Sequence, residues 1–135
     1  MSVFVDTNVV VYAFDQADPA KQHIAIGVLE GKERLVVSSQ VLLESWSVLT
    51  RKLADPLEEN QASEIIDQLY TLPVVSTDPQ LVQQAIQTSL RFEIAIWDAL
   101  IVEAARSAGC HRVLSEDLQA GQDFDGVVIE NPFAP

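Results

Sequence analysis

Short, wholly apolar runs alternate along this chain with longer segments whose apolar positions recur at helical spacing, the pattern of strands and helices taken in turn. Ser2–Val5 reads as a first buried strand that ends at Asp6. The polar break Asp6-Thr7-Asn8 follows, and apolar residues then resume from Val9 to Phe14. Asp15–Asp18 reads as a loop, and Pro19 suits the first turn of a helix to about Glu30. Leu35–Val37 is a second strand, and Ser38 or Ser39 can cap a helix to about Leu53. Asp55-Pro56 ends it, and a further helix is expected from Leu57 to Tyr70, with Glu58 and Glu59 in its first turn. Pro73–Val75 is a third strand, and Asp78-Pro79 opens a helix to Arg91. Ile96–Ala108 is the last helix, with Gly109 as its C-cap, and Arg112–Leu114 and Val127–Ile129 are the last strands. Strands alternating with helices predict a single α/β domain over residues 1–135: three layers, with a central, largely parallel sheet of five short strands flanked by helices.

Composition sharpens this picture. Apolar residues are 48% of the 135, enough for one packed core. The longest apolar segments, Val3–Phe14 and Ile94–Val102, each contain an Asp and fall short of the roughly 20 residues of a membrane span. Cys110 is the only cysteine, and the N-terminus lacks the pattern of a signal peptide. A soluble, cytoplasmic protein without membrane contact is expected. The charge is lopsided: 20 acids face 8 Lys and Arg, a net charge of -12. That is the opposite of the basic footprint usual in nucleic-acid binders. Clustered carboxylates, however, attract Mg²⁺ or Mn²⁺, and such an ion can meet a phosphate.

Four acids stand where solvated surface charge is not expected. Asp6 follows an apolar strand, and ligands of open α/β sheets bind beyond the carboxyl ends of strands; Asp6 also suits a plain helix cap. Glu44 shares a helix face with Val41, Ser47 and Val48, or points from its edge to water. Asp98 lies in Ile94–Val102, apolar almost all round and so expected to be buried. A favourable helix dipole is worth only about 0.3–1 kcal/mol, less than burying an unpaired carboxylate costs. Asp117 repeats the placing of Asp6, just beyond an apolar strand, although an ordinary polar turn explains it as well, and Glu116 beside it competes for the same role.

In order, Phe4-Val5-Asp6-Thr7-Asn8, Ser39–Glu44, Trp97-Asp98-Ala99-Leu100-Ile101 and Leu114–Leu118 resemble the segments of PIN domains, and most of all those of VapC-type toxins. The resemblance spans nearly the whole chain. It implies an endoribonuclease dependent on Mg²⁺ or Mn²⁺, in which the ion acidifies a water that attacks the phosphodiester. Asp6 and Asp98 would be the main metal ligands, and Glu44 and Asp117 would complete the acidic pocket. Thr7, Asn8 and Ser115 would orient carboxylates or water from behind. It further implies an RNA substrate and a basic antitoxin protein as partner; a homodimer is a further expectation. A PIN-like DNA nuclease and a non-catalytic PIN-like binding module are the alternatives.

Other chemistry finds less support. His23 and His111 are isolated, and no Cys/His spacing suits zinc. A haloacid-dehalogenase-type phosphotransferase wants an acid where Asn8 stands, and a receiver domain wants a Lys beyond Lys52, where there is none. Trp46 and Trp97 are expected in the core, with stacking on RNA bases the lesser alternative. Arg51 and Lys52 suit the end of the Glu44 helix and could also meet phosphate.

Overall fold

The computed structural model of the protein describes residues 2–135. Five strands, β1 (Ser2–Val5), β2 (Arg34–Ser38), β3 (Val74–Val75), β4 (Arg112–Leu114) and β5 (Val128–Glu130), form one sheet in the order β3-β2-β1-β4-β5. All neighbours pair in parallel. The helices are α1 (Thr7–Tyr12), α2 (Pro19–Leu29), α3 (Ser39–Ser47), α4 (Glu59–Leu69), α5 (Pro79–Phe92) and α6 (Ile96–Ser107). A parallel sheet must be covered on both faces, so its strands carry apolar residues without alternation. Val3, Phe4, Val5 and Val37 are wholly buried for that reason. The path from β1 through β2 to β3 moves one way across the sheet, and the return to β4 moves the other. With right-handed crossovers, this sets α1–α4 on one face and α5–α6 on the opposite one.

The element reading holds with local differences. The helix from Ser39 does not run evenly to Leu53: after Ser47 it widens into a π-helical turn, Val48–Lys52, closed by the Leu53 N–H donating to the Val48 carbonyl. This wider turn lets Leu49 sit fully buried beside Val11 and Ala62 in a small second core. Helix α4 starts two residues later than expected, with Glu58 as its N-cap rather than in its first turn; the Glu58 N–H donates to Gln61 Oε1. Helix α6 ends at Ser107 with Ala108 as its C-cap, and Gly109, expected as the cap, takes the left-handed turn just beyond it at φ 75°. Trp97 departs from expectation outright. It is 64% exposed, because the apolar segment around it enters α6 only at Ile96 and burial begins at Ala99. Trp46 packs, partly buried, on the second core.

One polar group is buried on α6, in a helix that reads as apolar. Glu103 accepts from Thr88 Oγ1 on α5 and pairs with Arg106. Arg106 also donates to the carbonyls of Phe124 and Asp125. This network pins the helix-free excursion between β4 and β5 onto α6. Phe124 is its apolar anchor, 0% exposed and edge-to-face with Phe92 at 5.0 Å. Among the described residues, no helix is long and apolar enough to cross a membrane. Phe124→Ala is expected to cost about 3–5 kcal/mol, read as a lower urea midpoint at unchanged slope. A loss under about 1 kcal/mol would show that the excursion lies outside the cooperative core.

Candidate acidic site

The site lies where the strand order reverses. β1 and β4 are neighbours in the sheet, yet their connections leave in opposite directions, which opens a crevice at their carboxyl ends. Val5 lies in register with Leu114, and the Asp6 N–H donates to the Leu114 carbonyl at 2.9 Å. The next residues on each strand, Asp6 and Ser115, are therefore side by side. Ser115 Oγ donates to Asp6 Oδ2 at 2.8 Å, and both residues are buried. The same Oγ accepts from the backbone N–H groups of Asp117 and Leu118, which folds the turn after β4 back over the strand end.

Asp6 is also the N-cap of α1: its Oδ1 accepts from the Thr7 N–H at 2.7 Å. Thr7 Oγ1 in turn donates to Glu44 Oε2 on α3. Glu44 is exposed, as the alternative reading of its helix edge requires, but it is tethered rather than free. Gln40 Nε2 donates to Glu44 Oε1 at 3.1 Å and to the Trp97 carbonyl at 3.2 Å, linking α3 to the first turn of α6. Asp98 stands in that turn, half-buried. Asp117 is exposed on the turn after β4. The four acids thus come from four separate chain segments to one edge of the sheet.

Two of these acids are shifted by burial and by the charges of neighbouring acids. Burial pushes the Asp6 carboxyl up to about 6; the Ser115 and Thr7 hydrogen bonds work against that, and the charges of Asp117 and Glu44 add to it. Asp98 is raised by burial and by the same two neighbours. The adjoining Glu116 behaves differently. It takes Tyr12 Oη–H at 2.6 Å and Lys21 Nζ at 2.6 Å, and these two contacts hold it below the usual carboxylate range despite burial. Glu116 is thereby spent on joining the turn to α1 and α2, while Asp117 carries its charge toward Asp6 and Asp98. Asn8 makes no hydrogen bond to any of the four among the described residues, and its Oδ1 is buried without a partner. Gln40 was not singled out from sequence: an amide on a helix gives no signal until α3 and α6 are brought together.

The donor chemistry, carboxylate oxygens of which two are raised by burial and by neighbouring acids, fits a hard divalent cation. As they stand, no three Asp, Glu, His or Cys side chains among the described residues converge closely enough to hold an ion outright.

The family model of the PIN domain matches residues 3–122. Among solved structures, VapC20 of Mycobacterium tuberculosis, described as a sarcin-ricin loop cleaving toxin, is 20% identical; the match covers 85% of this chain and 89% of that one, with a TM-score of 0.69. VapBC-1 of nontypeable Haemophilus influenzae is 17% identical over 99% of this chain and 100% of that one, TM-score 0.68. DNA-bound VapBC of Salmonella typhimurium is 18% identical over 98% of each, TM-score 0.67. No curated protein matches the chain in sequence.

The raised Asp6 carboxyl gives a signed prediction for the metal-free protein. Between its ordinary value of 3.8 and about 6, the folded state holds the proton more tightly than the unfolded state. Asp6 therefore lowers stability as pH rises through that window, by at most about 3 kcal/mol, and the penalty is complete above it. Asp6→Asn removes the charge, so its melting temperature should gain on that of the wild type between about pH 4 and pH 7. A difference that stays flat or reverses over that range would show that Asp6 is not held in a repulsive setting.

Proposed function

The chain belongs to the PIN domain family, and on that premise we propose that it is a metal-dependent endoribonuclease, the toxin of a toxin–antitoxin pair. The observation that carries this reading is the gathering of Asp6, Glu44, Asp98 and Asp117 at the switch point, where burial first, and then the charges of Asp117 and Glu44, raise the carboxyls of Asp6 and Asp98. Mg²⁺ or Mn²⁺, when bound, would neutralise these acids, draw in the scissile phosphate and make a water acidic enough to attack it. Asp6 and Asp98 would be its main ligands, with Glu44 and Asp117 binding directly or through water. Around them, Ser115 Oγ and the Thr7 N–H orient the Asp6 carboxylate, and Thr7 Oγ1 and Gln40 aim that of Glu44. A carboxylate of the cluster would accept the proton that the attacking water gives up.

Purified protein should cleave RNA with Mg²⁺ or Mn²⁺ and stop with EDTA; cleavage that survives full chelation removes the mechanism. Asp6→Asn and Asp98→Asn should each lower cleavage by at least about 10². Asp117→Asn should be clearly impaired, whereas Glu116→Gln, which keeps an acceptor for Tyr12 outside the cluster, should cleave almost normally.

The partner proposed is an antitoxin that offers an Arg or Lys side chain to the acidic cluster, in competition with metal. The net charge of -12 supports a basic partner. Its affinity should fall as salt rises and as Mg²⁺ is added. Pull-downs from the native host that recover no basic protein would favour a solitary nuclease.

A further inference from the structure

Trp97 is a large aromatic residue left 64% exposed immediately before Asp98. It is not a loose surface side chain. It sits in the first turn of α6, and its carbonyl is held by Gln40 Nε2, the same group that holds Glu44. Its backbone is thus fixed relative to two of the four acids. A second observation concerns charge. Of the eight Lys and Arg residues, Lys21, Arg91, Arg106 and Arg112 are already paired with acids. Lys32 and Arg34 lie at the amino end of β2, the far edge of the sheet from the acids, and Arg51 and Lys52 lie in the π-helical turn beyond α3. With a net charge of -12 and four of its eight cations already paired, the protein offers a polyanion few phosphate contacts. Contacts that do not depend on charge can therefore add to what a bound metal ion supplies. Stacking of a base on an aromatic face is such a contact, worth about 5- to 150-fold per base.

We propose that Trp97 is the stacking platform for an unpaired base next to the cleaved phosphate, so that this residue selects single-stranded or flipped-out nucleotides. The proposal rests on the nuclease reading above. A base inside a duplex offers no free face, so paired RNA is excluded at that position. Trp97 and Asp98 share the first turn of α6, which keeps a base stacked on the first near the acid-bearing end of that helix.

The test uses a short labelled RNA that the wild type cuts at one place. Abasic sites are introduced singly at the nucleotides flanking the cut. Trp97→Leu should lower kcat/KM by about 10- to 100-fold, mainly through KM, while Trp97→Phe keeps most of the activity. At one flanking position the abasic site should cost the wild type a similar factor and cost Trp97→Leu little more, since both remove one contact. The RNA should also quench tryptophan fluorescence, read with Ca²⁺ replacing Mg²⁺ to keep it intact, and Trp97→Leu should abolish the quenching although Trp46 remains. Equal kcat/KM in wild type and Trp97→Leu, or fully additive losses at every position, overturns the proposal. So does a Trp97→Leu variant whose main change is a smaller mass in light scattering, which would assign the exposed ring to a second copy of the chain. If the wild type cuts no RNA, the nuclease reading fails, and the quenching experiment decides for Trp97 alone: its absence overturns the platform, and its presence upholds a binding role.

Discussion

Two parallel strands end beside each other, and past the last backbone bond between them, from the Asp6 N–H to the Leu114 carbonyl, a side-chain hydrogen bond from Ser115 Oγ to Asp6 Oδ2 continues the join. Much of the site depends on it. By donating to Asp6 and accepting from the N–H groups of Asp117 and Leu118, Ser115 sets both the buried acid and the turn that carries the exposed one. Through Thr7 the same acid is tied to Glu44, and through Gln40 that glutamate is tied to α6. The chain of contacts runs from one layer of helices, over the edge of the sheet, to the other.

A carboxylate is an expensive group to place in such a position. Burial penalises its charge, and neighbouring acids add repulsion. Asp6 shows both effects, and the hydrogen bonds from Ser115 and Thr7 only partly offset them. The surrounding fold bears that cost: the strand centres are apolar and buried, Leu49 is fully buried in the second core at the π-helical turn, and the Glu103–Arg106 network satisfies the one other buried acid among the described residues. A scaffold this complete can hold a site that would relax if left to itself, which is the usual relation between a rigid fold and strained chemistry.

The division of labour between Glu116 and Asp117 shows how the turn separates structure from chemistry. Consecutive side chains leave the backbone in different directions. Glu116 meets Lys21 and Tyr12 and becomes a strut between the turn and α1–α2. Asp117 is left with its charge facing the other acids. Two neighbouring acids thereby play different parts: Glu116 is neutralised and braces the fold, and Asp117 is left uncompensated beside the other acids of the site.

The order of elements was readable from the chain because local physics writes it there. Apolar runs without alternation mark strands covered on both faces, and Asp18, Ser38 and Asp78 each cap the helix that follows. Asp6 and Asp98 were legible for a related reason: a charge inside an apolar segment conflicts with its surroundings and so stands out. What the chain could not state is direction and distance. Whether Glu116 or Asp117 faces the acids depends on Lys21, almost a hundred positions away. The link from Gln40 to both Glu44 and Trp97 exists only once α3 and α6 meet over the sheet edge. Trp97 itself read as core, since its neighbours are apolar, and it is exposed because α6 turns that part of its first turn outward. Side-chain chemistry and helical period are properties of neighbours along the chain; the facing of one element against another is decided by packing, and only the folded molecule contains it.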